Sequence, residues 1–129
     1  MINSDIYNYV NVLDQAADAA WLRNEAISNN IANVNTPDYK RQDVSFEEEL
    51  KHALKANKYV SLDQKVGDIN LKHIEGRVYT DSANYSYRLD GNNVDIDNEN
   101  VELASNQIKY NAMIQSISGK FTDLQRVMK

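Results

Sequence analysis

Cysteine is absent from the 129 residues, which removes disulfide frameworks, thiolate metal sites and thiol nucleophiles together. No basic patch is present either: Lys and Arg number 14 against 19 Asp and Glu, for a formal net charge of -5. Binding to nucleic-acid phosphates needs clustered cations that displace counterions, so no nucleic-acid partner is expected. Nothing approaches about eighteen consecutive apolar residues, and no membrane span is expected. The first positive charge is Arg23, and Asp5, Asp14 and Asp18 interrupt the opening segment. Secretion by a cleaved signal peptide is therefore not expected. Internal repeats and low-complexity segments are lacking. With 42% apolar and 26% charged residues the balance is ordinary for a globular protein, and one folded unit is expected.

What the sequence does have is periodicity. Ile6, Val10, Leu13, Ala17, Ala20, Asn24, Ile27, Ile31 and Val34 follow one another at alternating steps of 4 and 3, the spacing of a coiled-coil seam. The pattern predicts a helix from Ser4 or Asp5 to about Asn35. Cap side chains in Asn3-Ser4-Asp5 open it, and Pro37 closes it by disfavouring helical backbone at Thr36. A second stripe, Leu103, Gln107, Tyr110, Ile114, Ile117, Phe121, Leu124 and Met128, predicts another long helix, widened by Val101, Ala104 and Ile108. Asp97, Glu99 and Glu102 supply a cap and negative charge at its start, with Lys120, Arg126 and Lys129 near its end, as the helix dipole favours. A helix of about 30 residues is roughly 45 Å long, whereas a compact chain of this size has a radius of gyration of about 14 Å. The molecule is therefore expected to be elongated. Its two stripes can pair with each other and still leave apolar surface for neighbouring copies to cover.

Between the stripes, Val44, Phe46, Leu50 and Leu54 predict a short amphipathic helix over about 45–56. Glu47-Glu48-Glu49 followed by Lys51, Lys55 and Lys58 reads as its solvated face. Residues 57–82 carry no readable element. Tyr85 to Leu89, then Asp90-Gly91-Asn92-Asn93, then Val94-Asp95-Ile96 alternate about a turn and predict a small β-hairpin. The expected fold is mainly α: an elongated pair of long N- and C-terminal coiled-coil helices with a short middle helix and a small β-hairpin. It divides into an N-terminal helix (1–35), a turn, helix and hairpin region (36–96) and a C-terminal helix (97–129).

Where the first helix should end, residues 29–42 read NNIANVNTPDYKRQ. Asn29, Asn30, Asn33 and Asn35 are poor helix formers whose amides can donate and accept across an interface. Fraying toward Pro37 accounts for one or two of them but not for four, nor for the Tyr39-Lys40-Arg41 exit. The stretch Asn29, Asn30, Asn33, Asn35, Thr36, Pro37, Tyr39 and Lys40 resembles the N-terminal signature of the rod and hook axial proteins of the bacterial flagellum, in which asparagine-rich helix residues precede a Thr-Pro-Gly-Tyr-Lys type of turn. Gln42 to Phe46 with Glu49-Leu50 is similar to the proximal rod branch of that family rather than to its longer distal members. So is Arg88-Leu89-Asp90-Gly91-Asn92-Asn93-Val94-Asp95 leading into Leu103 to Gln107 and Tyr110. One departure stands out: Asp38 occupies the usual glycine position, where glycine would permit the positive φ of a type II turn.

The resemblance implies a structural rod subunit of the flagellar basal body that supports motility. It implies export by the flagellar type III apparatus and polymerisation through the terminal helices, and it implies no cofactor. The implied partners are copies of the chain itself, other flagellar rod proteins, the ring-to-rod adaptor and the export apparatus. An alternative from another class is a coiled-coil adaptor or export chaperone of the same apparatus. The asparagine-rich exit and the second motif favour the subunit.

Catalytic, cofactor and metal sites are not expected. Glu47 to Glu49 and His52 suggest a metal cluster only superficially, since successive helical residues point in different directions and no second histidine converges. His73 is isolated. Asp90 to Glu99 fails as a calcium loop, because neither possible starting point places ligands and glycine at the required positions. Asn24 and Gln107, polar within apolar seams, either fix register between helices or face solvent at the stripe's edge. Trp21, beside the first seam, reads as packing or an anchor between subunits.

Overall fold

A computed structural model of the chain describes residues 4–55, 59–69, 74–82 and 88–129. The order of elements is α1 (Ser4–Ala32), β1 (Gln42–Ser45), α2 (Glu47–Lys55), α3 (Leu62–Gly67), β2 (Arg77–Thr80) and α4 (Ile96–Val127). The two long helices run antiparallel: Asn30 meets Glu99, and Asn106 reaches Ala20 and Asn24. At 32 residues α4 is about 48 Å long. The mainly helical, elongated pairing expected from the two stripes is what the chain adopts.

Every member of the first stripe, Ile6 through Val34, is buried or half-buried. Its middle is alanine-rich, with Ala17, Ala19 and Ala20 all buried. Small side chains there let another strand of backbone come close. A Cβ added to Gly76 would sit 2.9 Å from the Cβ of Ala19 and 3.3 Å from Val44, so only glycine lets the segment leading into β2 lie against α1. Val44, Phe46, Val66, Ile74 and Val94 complete this thin core.

Helix α1 stops at Ala32, three residues before the expected end. Asn33 to Asn35 turn instead, with the Thr36 N–H donating to the Asn33 carbonyl at 3.0 Å. Asp38 has φ 59°, so the backbone keeps the left-handed geometry of the glycine it replaces. The Tyr39 N–H closes the turn on the Thr36 carbonyl at 3.3 Å. At the start of α4 the capping residue is Asp95 rather than Asp97. Its extended backbone lets the carboxylate accept from the N–H groups of Asp97 and Asn98.

A two-stranded antiparallel sheet is present, but not where the alternation placed it. Gln42 pairs with Thr80, Asp43 with Tyr79, Val44 with Val78 and Ser45 with Arg77. Of the expected hairpin, Tyr85 to Tyr87 lie outside the described residues, as do Asn3 and His73. Val94 and Asp95 form no strand because their backbone neighbours belong to a capping turn. The middle helix lies within the expected range. Its charges make an i,i+3 contact, Lys51 to Glu48 at 4.0 Å, and Leu50 and Leu54 face inward. Ser61 caps α3, and the hydroxyl of Tyr9 ties it to α1 by donating to Asp63 at 2.7 Å.

The second stripe splits in two. Leu103, Tyr110, Ile117 and Leu124 turn toward α1, whereas Gln107, Ile114, Phe121 and Met128 are exposed. The row that alternates with the inward members is Glu99, Asn106 and Met113, two of them fully buried. The accessible surface is 9051 Å², against about 6,900 Å² for a compact monomer of this mass. The fold leaves much of its apolar surface uncovered.

Candidate functional site

The last carbonyls of a helix have no partner within it, and at the end of α1 they are met by the second sequence motif. The side-chain amide nitrogen of Asn92 lies 2.9, 3.1 and 2.9 Å from the carbonyl oxygens of Asn33, Val34 and Thr36. The guanidinium of Arg88 donates to the Val34 carbonyl at 2.8 Å and to Asp90 at 2.8 Å. Asp38 donates its N–H to the Asp90 carbonyl at 2.8 Å, and Lys40 reaches the Gly91 carbonyl. Gly91 has φ 74°, and a Cβ there would lie 2.6 Å from the Asp38 carboxylate, so the clasp needs glycine at this position for both conformation and space. The Asn92 N–H, with Arg88 alongside, holds the Asp90 carboxyl below its ordinary value.

A second layer of contacts joins this clasp to α4. Asn30 is fully buried. Its oxygen accepts from the Gln42 N–H at 2.8 Å and the Tyr39 hydroxyl at 3.2 Å. Its amide donates to the Gln42 carbonyl at 2.8 Å and to Glu99 at 3.0 Å. Glu99, also fully buried, takes its other bond from the Nε of Arg41, which bridges onward to Asp43 at 3.0 Å. Burial first, and then the Glu99 carboxylate, push the Tyr39 phenol above its usual value. Asn93 closes the layer, accepting from the Arg41 N–H at 2.7 Å and donating to the Asp81 carbonyl at 3.0 Å.

Further along α1, Arg23 forks onto Glu47 with two bonds of 2.6 Å and donates to the Val44 carbonyl at 2.8 Å. The hydrogen bond from Arg23 holds the Glu47 carboxyl below the usual 4.5. The native state therefore binds fewer protons than the unfolded chain in this range. The stabilisation is present above the ordinary glutamate pKa and is lost as pH falls through the lowered native value. Glu47 is more than half exposed, so solvent screens the pair. In a Glu47→Gln variant, the fall of unfolding free energy between about pH 7 and about pH 3 is expected to be shallower, its slope against pH reduced by the equivalent of a fraction of one proton. Acid titrations that superimpose for the two proteins would contradict the pairing.

These contacts are structural: amides, carbonyls and ion pairs satisfied by one another. A family model described as flagella basal body rod protein matches residues 11–40, which is α1 from Asn11 onward together with its exit turn. The flagellar basal body rod protein FlgB of Bacillus subtilis is 36% identical over 116 residues, covering 90% of this chain and 89% of that protein. The chain belongs to the FlgB family of flagellar basal body rod proteins. The FlgB proteins of Borreliella burgdorferi and Escherichia coli are 33% and 30% identical, covering 98% and 83% of the chain. It is accordingly a structural component of the basal body rod, and rod membership implies assembly with other rod components. Among the described residues no helix is long and apolar enough to cross a membrane.

Within this chain, the two motifs that carried the family resemblance are two halves of one clasp. Asn30, Tyr39 and Lys40 reach into it, while Asn33 donates to the Asn29 carbonyl at 2.8 Å and accepts from the Thr36 hydroxyl at 3.1 Å. Asn35, Thr36 and Pro37 are exposed on its rim. Sequence reasoning missed Arg41, Glu99 and Asn92 as site residues. The signal was partial: Arg41 stands in the exit of the first motif, Asn92 inside the second, and Glu99 in the acidic start of α4. Of the two polar seam residues, Asn24 accepts a hydrogen bond from Asn106 at 3.2 Å, while Gln107 is exposed. Trp21 lies beside Tyr110 with ring centroids 6.4 Å apart.

Proposed function

We propose that the chain assembles with copies of itself and with other rod proteins through its terminal helices, and that the clasp sets the angle at which those helices are presented. The reading extends to the finer partners: the ring-to-rod adaptor, and the flagellar type III export apparatus as the route out of the cell. The carrying observation is the surplus surface, 9051 Å² in a chain of 14.7 kDa, with Trp21, Ile108, Phe121 and Val127 exposed along the paired helices. Helices with uncovered apolar rows gain stability when neighbours bury them. The contacts of the described side chains are those of packing, and support a structural rather than an enzymatic role. Deleting the gene and examining basal bodies by electron microscopy tests the reading: rods are expected to be missing and motility lost. Intact rods and normal swimming would overturn it.

A further inference from the structure

Each long helix carries a second row at seam spacing, one position on from the row buried between them. On α1 every residue at steps of 4 and 3 from Tyr7 to Ala32 is exposed, including Asp14, Asp18, Trp21 and Glu25. Trp21 is 64% exposed and stands between two shallow clefts of about 340 and 300 Å³, one edged by Asp18 and Glu75, the other by Glu25. The row holds three carboxylates and two aromatics, and no cation. On α4 the exposed row is Ile114, Phe121 and Met128, repeating every seven residues and flanked by the exposed Lys120 and Lys129. Arg126, by contrast, faces Asp123 at 3.7 Å.

We propose that the acidic aromatic row of α1 receives the basic apolar end of α4 from a second copy, Phe121 packing on Trp21 with lysines against the flanking carboxylates. This rests on the self-assembly reading above. Charge selects the pairing: two α1 rows would set carboxylates against carboxylates, two α4 ends lysines against lysines, and both are penalised. Level also decides the outcome. Within one chain Trp21 lies beside Tyr110, so bringing Phe121 of another copy that points the same way to this height requires a slide of about eleven residues, roughly 16 Å along the helix. Between copies that point the same way, a slid contact of this kind is head-to-tail and repeats as an open series, the geometry a rod requires.

The absence of cysteine makes the test direct. Full-length chains bearing Trp21→Cys are mixed under oxidising conditions with chains bearing Phe121→Cys or, separately, Ile108→Cys, and association is followed in parallel by sedimentation. The Trp21–Phe121 adduct is expected to exceed the Trp21–Ile108 adduct by about tenfold. Asp18→Lys with Glu25→Lys is expected to weaken association by about tenfold, as is Lys120→Glu with Lys129→Glu, and combining all four changes is expected to restore it. Thermal unfolding of the dilute chain, unchanged by these surface substitutions, shows that each variant is folded. A dominant Trp21–Ile108 adduct would replace the slid contact by a closed bundle and overturn the proposal. Undiminished association without either adduct would overturn this contact and leave self-assembly standing. Failure of the unmodified chain to associate at any concentration would remove both.

Discussion

Replacing Arg41 by alanine is expected to lower the unfolding free energy by about 3–5 kcal/mol, read as a shifted midpoint in urea at constant slope. Glu99 is fully buried, and its carboxylate is held by Arg41 on one oxygen and Asn30 on the other. Removing the guanidinium leaves a charge in the interior with one amide for company, which costs far more than the pair contributes when intact. A second arm distinguishes this from simple loss of side-chain packing. Changing Arg41→Met together with Glu99→Leu removes both charges and is expected to cost clearly less than Arg41→Ala alone. Equal losses in the two variants would mean that the buried charge is not what matters. Small domains have only about 5–15 kcal/mol of stability, so Arg41→Ala brings this thin-cored chain near the edge of folding.

Asn92→Asp is expected to be at least as damaging as Asn92→Ala, each costing about 2–4 kcal/mol. The two residues in Asn and Asp are nearly identical in shape, so the prediction isolates hydrogen-bond polarity. In the native protein the Asn92 amide donates toward three carbonyls, while its oxygen accepts from the Val94 N–H at 2.8 Å. A carboxylate can keep the Val94 bond but has nothing to donate. It would also place negative charge at the C-terminal end of α1, where the helix dipole is already negative. Thermal unfolding in which Asn92→Asp is markedly more stable than Asn92→Ala would show that the carbonyl bonds are not what Asn92 supplies.

Both predictions concern residues far apart in the chain, and that distance marks what could be read beforehand. The steps from Ile6 to Val34 identified α1 and its inward face, because a single helix expresses its periodicity locally. The Thr36-Pro37 turn was legible for the same reason. Asp38 could have selected another turn type, and its φ of 59° was settled by the Asp90 carbonyl and the space that Gly91 leaves. The sheet was not legible. Its strands are four residues each, and one of them, Arg77 to Thr80, is exposed throughout, so alternation of burial gave no signal.

The stripe on α4 is the most informative difference. Leu103, Tyr110, Ile117 and Leu124 fit two seams equally, one completed by Gln107, Ile114, Phe121 and Met128, the other by Glu99, Asn106 and Met113. Hydrophobicity favoured the first, and the residues that complete it face outward. The second was chosen by polar partners on α1: Asn106 donates to the Ala20 carbonyl at 2.7 Å, and Glu99 meets Asn30. Among the described residues the oxygen of Asn106 is buried without a partner, a cost accepted at a position that fixes which face of α4 meets α1.

By itself, then, the order of residues determined that two long amphipathic helices stand at the ends, that a turn follows the first, and that the chain has the motifs of an axial rod protein. Helical periodicity and turn chemistry act over a few residues and need nothing else. Tertiary structure alone decided that the motifs at 29–42 and 88–95 are one clasp and that the row with Phe121 points away from α1. Those outcomes depend on which buried amide or carboxylate finds a partner about 60 residues away, and no local pattern carries that information.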